Sequence, residues 1–324
     1  MNRKTKTAVL VVGAFAAMMG VQRAEAEAKT YTIALVPGIA TDPFYITMQR
    51  GAAAEAKKLG VHLIWQGGAS FSPETQIPIL QALLAKHPDA LVIAPTNKTA
   101  LINPIKQYVA AKIPTISVDT TITDDSLLKA RITSNNTQGG AAAADAIAKS
   151  ADEKGDVAII NVKPGISTTD ARQKGFLSEM KKYPHMKVIA TEYDDDSPTK
   201  AFADTQLLLL KYPHLVGVFG TNVFSAQGAG KAVETSGRKG KVNVVGYDAE
   251  PGEVKLLKQG VITTLIVQQP AKEGALGVKY AYDILTGHAG KVPKSRLLTN
   301  VTATTQNAND PNIAKYFYKS NLAQ

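Results

Sequence analysis

The chain has 324 residues, 44% of them hydrophobic and 20% charged, an ordinary globular composition with enough length for two domains of typical size. It contains no cysteine, which excludes disulfides, thiolate metal sites and cysteine nucleophiles. The formal net charge is +10, but the doublets Lys57-Lys58 and Lys181-Lys182 fall near predicted helix C-termini, where cations complement the helix dipole. Aromatic residues do not interleave with the basic ones, so nucleic acid is not an expected partner.

At the N-terminus, Arg3, Lys4 and Lys6 precede an apolar run from Ala8 to Val21, and Ala24-Glu25-Ala26 has the small-x-small form of a cleavage site. This pattern predicts a secretory signal peptide over residues 1–28, cut after Ala26 or Ala28. The apolar run is about 14 residues, short of the roughly 20 that span a bilayer. A soluble protein exported to the periplasm is expected.

The next stretch, Tyr31 to Tyr45, sets the pattern for the rest of the chain. Ile33, Ala34, Leu35 and Val36 form a continuous apolar run, as in a parallel strand covered on both faces. Pro37 and Gly38 stop it. Pro43 then fits the first turn of a helix that ends at Gly60, so Asp42, Phe44 and Tyr45 fall at the carboxyl end of the strand, the edge at which open α/β sheets bind ligands.

From there apolar β-branched runs alternate with helical stretches to about residue 286. Strands are predicted at 61–66, 90–94, 114–119, 157–162, 188–193, 215–220, 242–247 and 262–267. Helices are predicted near 74–87, 99–112, 138–151, 168–182, 198–212, 223–236, 251–259 and 271–286, with Pro78 implying a late start or a kink in the first of these. The alternation predicts an α/β protein of two doubly wound parallel sheets with right-handed crossovers. It breaks once, between Thr120 and Asn136, where a polar loop and a short strand at Ala130 to Ser134 mark a domain crossing. Beyond Pro293 a strand-like tail is positioned to return between the domains.

Enzymatic motifs are missing. Gly228-Ala-Gly230-Lys231 has Ala232 where a phosphate loop needs Ser or Thr, and its glycines fall inside a predicted helix. No G-x-G-x-x-G follows the first strand, no G-x-S-x-G elbow occurs, and the five histidines have no metal-ligand spacing. No cofactor or metal is expected. What remains is a set of polar residues at successive strand ends: Asp42 with Phe44 and Tyr45, Asp119, Arg172 in PGISTTDAR, Asn222, Asp248 and Gln268. Carboxylates and amides pair with vicinal hydroxyls, Arg supplies a planar fork of donors, and aromatic faces cover the C–H face of a sugar. Polyol binding is therefore favoured over turnover, with paired carboxylates leaving a sugar-acting enzyme as the alternative.

At these residues the chain resembles the periplasmic sugar-binding proteins of the ribose-binding type, the type I solute receptors of ABC importers. TDPFY, IAPT, SVDT, SNNTQGG, ARQKGF, VFGTN, VVGYDA and QQP come in the family's order. The resemblance implies two Rossmann-like lobes joined by three crossing segments, near Ser134, Gln269 and residue 297. It thus implies an N-terminal lobe of 29–134 plus 269–297 and a C-terminal lobe of 135–268 plus 298–324. It assigns ligand contacts to Asp42, Phe44, Tyr45, Asp119, Arg172, Asn222, Asp248 and Gln268. It also implies a monomeric receptor whose partners are a sugar or polyol and a membrane permease, or a chemoreceptor. Ala94 stands where the family has Asn, Thr120 where it has Arg, and Asp196 where it has a stacking ring, and Asp42 replaces an Asn. Four carboxylates against one Arg172 disfavour an anionic ligand, and a neutral monosaccharide or sugar alcohol is expected. Asp196 either faces the pocket or turns outward in a helix-capping loop.

Overall fold

The computed structural model describes residues 29–323; the predicted signal peptide lies outside them. Two six-stranded sheets carry the chain. The first has the order β11-β5-β4-β3-β1-β2, built from β1 (Thr32–Val36), β2 (His62–Trp65), β3 (Ala90–Ile93), β4 (Thr115–Val118), β5 (Ala130–Ser134) and β11 (Ser295–Leu298). The second has the order β12-β10-β9-β8-β6-β7, from β6 (Lys154–Asn161), β7 (His185–Tyr193), β8 (Leu215–Gly220), β9 (Asn243–Tyr247), β10 (Thr264–Val267) and β12 (Val301–Thr304). All pairings are parallel except that of β10 with β12. Each sheet reverses its winding once, between β1 and β3 in one and between β6 and β8 in the other. Such a switch opens a crevice at the carboxyl edge.

Local chemistry explains the elements. Ile33 to Val36 are fully buried, as a strand covered on both faces requires. Helix α1 (Pro43–Leu59) starts on Asp42, whose carboxylate accepts from the Phe44 N–H, and stops at Gly60, which adopts φ +67°. Its last turn carries Lys57 and Lys58. Helix α2 (Pro73–Leu84) is capped by Ser72 and runs through Pro78. It therefore has no late start, because the Ser72 cap and Pro73 at the first position fix its beginning upstream of the proline. Further along lie α3 (Ile102–Ala110), α4 (Asn136–Ser150), α5 (Ser167–Met180), α6 (Pro198–Lys211), α7 (Val223–Thr235), α8 (Pro251–Lys258), α9 (Pro270–Leu285) and α10 (Pro311–Ala314).

Helices pack at backbone distance in the cover of both sheets. A Cβ on Gly51 of α1 would stand 1.9 Å from the Ala271 carbonyl oxygen, and one on Gly274 of α9 2.2 Å from that of Met48. In the other sheet's cover, a Cβ on Gly140 of α4 would stand 1.9 Å from the Arg172 carbonyl oxygen, and one on Gly175 of α5 2.0 Å from that of Thr137. Gly228 serves the same purpose inside α7, where a Cβ would meet Ala201 and the Pro198 carbonyl at 2.5 Å. Its place in a packed helix removes any phosphate-loop role.

The chain passes between the sheets three times. It leaves β5 at Ser134 for α4, which packs on β9, and leaves β10 at Val267 for α9, which packs on α1. The third passage lies at residues 299 and 300, beyond the expected crossing near 297, because Leu298 still pairs with Ser134 in the first sheet. The tail does not stay with the second sheet either. The Tyr318 N–H donates to the Ala249 carbonyl, but the Lys319 N–H donates to Thr47 Oγ1 and the Ala323 N–H to Gln49 Oε1, both on α1.

Candidate functional site

Between the sheets' carboxyl edges lies a narrow cavity with about 50 Å³ of free space. The start of α1 contributes Asp42, Phe44 and Tyr45, and the end of β4 contributes Asp119. From the other sheet come Val162 and Ile166 after β6, Thr168, Thr169 and Arg172 on α5, Asp196 after β7, Asn222 and Val223 after β8, Asp248 after β9 and Gln268 after β10. Phe71, on the loop before α2, completes the lining. All eight residues assigned by resemblance thus converge, and Asp196 joins them. Ala94 and Thr120 are not among the lining residues. Both are buried, and Ala94 follows β3 with its carbonyl accepting from Gln76 Nε2 at 2.8 Å.

On the first-sheet side, the Tyr45 hydroxyl donates to Asp119 Oδ2 at 2.6 Å. Phe44 meets Tyr45 edge-on at 5.0 Å between centroids, and Tyr45 stacks on Phe71 at 6.4 Å with 24° between planes. Asp119 adopts φ +58°, a left-handed conformation that Asp tolerates better than most residues. Burial pushes its carboxyl up to about 6, against the opposing pull of Arg172. Asp42 is likewise held well above the usual carboxylate range by burial, opposed by the Phe44 N–H and reinforced by the carboxylates of Asp196, Asp248 and Asp119.

On the other side, Arg172 is 2% exposed and fixed on several sides. Its Nε donates to Asn136 Oδ1 and its Nη1 to the Thr221 carbonyl, both at 2.8 Å. Its Cζ lies 3.7 Å from the Tyr247 ring centroid, and Nη1 lies 3.9 Å from Asp248 Oδ2. Burial works against the guanidinium's charge, but Tyr247, Asp248 and Asp119 more than restore it. Asp248, at φ +90°, accepts through Oδ1 from Gln268 Nε2 at 2.6 Å and from the Tyr318 hydroxyl at 2.8 Å.

The run Asp194-Asp195-Asp196 divides three ways. Asp194 is fully buried. It accepts from Ser225 Oγ at 2.5 Å and from the Asp196 N–H at 2.8 Å, and burial, opposed by the Ser225 bond, pushes its carboxyl up to about 7. Asp195 is exposed and pairs with Lys200. Asp196 lines the cavity, where its Oδ1 accepts from Asn222 Nδ2 at 2.6 Å; burial, opposed by that bond, raises its pKa. The outward, capping alternative for Asp196 is therefore excluded, since Ser197 caps α6.

Several lining residues, Val162, Ile166, Thr168, Thr169, Val223 and Phe71, were absent from the predicted set, as were Tyr318 and Asp194 behind them. Phe71 could have been flagged as a lone aromatic in the polar loop GGASFSPE. Tyr318 sits in an aromatic-rich tail, with its ring 5.7 Å from Phe44. Asp194 carried no signal of its own beside two other aspartates.

The two sides also touch directly beyond the cavity. Lys98 Nζ lies 2.7 Å from Asp170 Oδ2, and the Lys98 N–H donates to the Gly165 carbonyl at 3.1 Å. The Thr121 N–H donates to Ser167 Oγ at 2.9 Å, and Lys163 Nζ to the Phe71 carbonyl at 3.2 Å.

Two doubly wound α/β lobes closed over a cavity of carboxylates, amides, one guanidinium and aromatic rings define a solute receptor that binds between its lobes. The chain belongs to the periplasmic binding proteins: residues 33–289 match the model of the periplasmic binding protein domain. It is 35% identical to the ribose import binding protein of Salmonella typhimurium over 89% of this chain and 94% of that one. Among solved structures it is similar to an ABC transporter solute-binding protein from Agrobacterium vitis bound with α-D-tagatopyranose, at 41% identity and a TM-score of 0.87 over 90% of this chain and 100% of that one. A carbohydrate transporter solute-binding protein from Agrobacterium radiobacter, in complex with D-arabinose, matches at 34% identity and a TM-score of 0.84, over 89% and 99% of the two chains. These relatives are binding proteins and not enzymes, as expected for this chain.

Proposed function

We propose that this protein is the periplasmic receptor of an ABC importer for a neutral monosaccharide or sugar alcohol, which it delivers to a membrane permease. The observation that carries this reading is the convergence of Asp42, Asp119, Asp196, Asp248, Asn222, Gln268 and Arg172 on one interlobe cavity with three aromatic rings. Four carboxylates outnumber the one guanidinium, so a sugar acid or sugar phosphate is repelled, whereas hydroxyls donate to the carboxylates. The sugars held by the Agrobacterium proteins, a ketohexose and a pentose, are of this neutral class. Release requires the lobes to swing apart about the three passages near residues 135, 268 and 299. Sugar drives closure because it contacts both lobes only when they are shut. The signal-like N-terminus supports export.

The test is a thermal-shift and calorimetric screen of the protein lacking residues 1–28 against pentoses, aldohexoses, ketohexoses, tetritols, pentitols, inositols and sugar acids. At a hundredfold excess over Kd, a cognate neutral sugar stabilises the protein by about 2.7 kcal/mol. Stabilisation by a sugar acid alone, or by nothing in the panel, overturns the assignment.

A further inference from the structure

We infer that Phe71 is a sugar-covering ring of this site, and that Lys163 from the opposite lobe clamps it in place when the lobes close. The inference rests on the sugar-receptor reading and adds a specificity-determining residue and a coupling to it.

The aromatic surface of the cavity is one-sided. Phe44, Tyr45 and Phe71 all come from the first lobe, while the facing lobe presents Asp196, Asn222, Arg172 and Asp248. Tyr45 is doubly committed, its hydroxyl to Asp119 and its face to Phe71, and Phe44 is engaged edge-on by Tyr45 and Tyr318. Phe71 is the ring of the three that is supplied by a loop and is only half-buried.

That loop is nonetheless held firmly. The Ala40 N–H donates to the Gly68 carbonyl at 2.9 Å, and Thr75 Oγ1 to the Ser70 carbonyl at 2.8 Å. Gly38 leaves room for the ring, since a Cβ there would stand 2.2 Å from Phe71 Cε2. The ring is thus seated in a slot made for it.

Lys163 follows β6 in the second lobe, yet its ammonium donates to the Phe71 carbonyl at 3.2 Å. This bond crosses the cleft, so it exists only with the lobes closed. It joins the loop that carries the ring to the lobe that carries the polar partners. A contact formed after closure slows opening and leaves encounter unchanged, which places its effect on dissociation.

The experiment uses D-tagatose and D-arabinose as probes, with affinities from calorimetry and rates from stopped-flow fluorescence of Trp65, the sole tryptophan, which ends β2 just before the loop. For the probe that binds wild type, Phe71→Ala weakens affinity about tenfold and Phe71→Tyr restores it to within about threefold. Lys163→Met speeds dissociation about threefold or more with an unchanged association rate. In the double variant the Lys163→Met effect on dissociation persists, because the bond is to the residue 71 carbonyl, which the side-chain change leaves in place. Phe71→Leu replaces Phe71→Ala if the latter's unliganded melting point falls. Unchanged affinity in the Phe71 variants, or unchanged dissociation in Lys163→Met, overturns the inference. Absence of binding by wild type to any neutral sugar overturns the receptor reading beneath it instead.

Discussion

Asp196→Asn separates what a carboxylate does for the ligand from what it costs the fold. Residue 196 adopts φ +63°, which Asn tolerates as readily as Asp, so the backbone has no reason to move. The new amide oxygen still accepts from Asn222 Nδ2, now 2.6 Å from the carboxylate, and the residue's N–H still donates to Asp194. What disappears is one negative charge and one acceptor oxygen. A charge-assisted bond to a sugar hydroxyl is worth about 1.5–3 kcal/mol, so calorimetry should show Kd rising about tenfold to hundredfold. The unliganded protein should respond in the opposite sense. Burial raises the Asp196 pKa above its unfolded value, so the ionised side chain weighs against folding at high pH and that cost is gone well below its unfolded pKa. The variant should therefore melt higher than wild type at pH 8, with the difference shrinking as pH falls and gone only below about pH 3. An unchanged or tighter Kd, or a lower melting point at pH 8, would refute the placement of this carboxylate in a sugar site.

A second prediction concerns pH. Asp119 and Asp194 are raised in the fold to about 6 and about 7 from the ordinary aspartate value of 3.8, so the stability linked to their protons is complete below about pH 4 and is lost as pH rises through those values. Unliganded melting points should rise from pH 8 to pH 5, while sugar affinity falls below about pH 6 because a protonated Asp119 accepts a hydroxyl without charge assistance; a pH-independent Kd over that span would count against Asp119 as a ligand. A third concerns packing. Gly140→Ala places a methyl 1.9 Å from the Arg172 carbonyl oxygen, which costs about 1–3 kcal/mol and, at about 2–4 °C per kcal/mol, lowers the melting point measurably. It also shifts the arginine and so weakens sugar binding. Gly290→Ala, with nothing within 4 Å, serves as the neutral control.

Much of this was legible in the sequence because strand ends are legible. Apolar runs such as Ile33–Val36 locate the sheets, and the polar residue after each run then falls on the carboxyl edge by topology alone. Asp42, Asp119, Asn222, Asp248 and Gln268 were all found that way. Backbone conformation between elements was not. Asp195 and Asp196 both adopt positive φ, so three consecutive aspartates project to the core, the solvent and the cavity, and nothing in their identity distinguishes them. Phe71 escaped because it belongs to a loop whose course depends on its contacts with Gly38 and Ala40, more than thirty residues earlier in the chain. Tyr318 escaped because a C-terminal tail carries no periodicity that would show it returning to Asp248 and α1.

Helix capping and ligand binding are two uses for an aspartate or asparagine at a strand end, and the geometry shows why they need not compete. Asp42 spends Oδ1 on the Phe44 N–H, Asn222 spends its carbonyl oxygen on the Ser225 N–H, and Asp248 spends Oδ1 on Gln268 and Tyr318. In Asp42 and Asp248 one carboxylate oxygen is locked by the fold and the other is aimed without further loss of rotamer entropy, while the Asn222 amide is turned onto Asp196 Oδ1. The caps at Asp42 and Asn222, and the Gln268 and Tyr318 bonds to Asp248, are what preorganise the site. The acceptors so fixed outnumber the donors, since two of the five N–H groups of Arg172 are already committed to Asn136 and Thr221. A ligand matched to this balance must offer many hydroxyl protons and few charged oxygens. A polyol meets that requirement in every position, whereas a carboxylate or phosphate on the same ring would meet the cluster of aspartates with Arg172 as the one cation among the described lining residues.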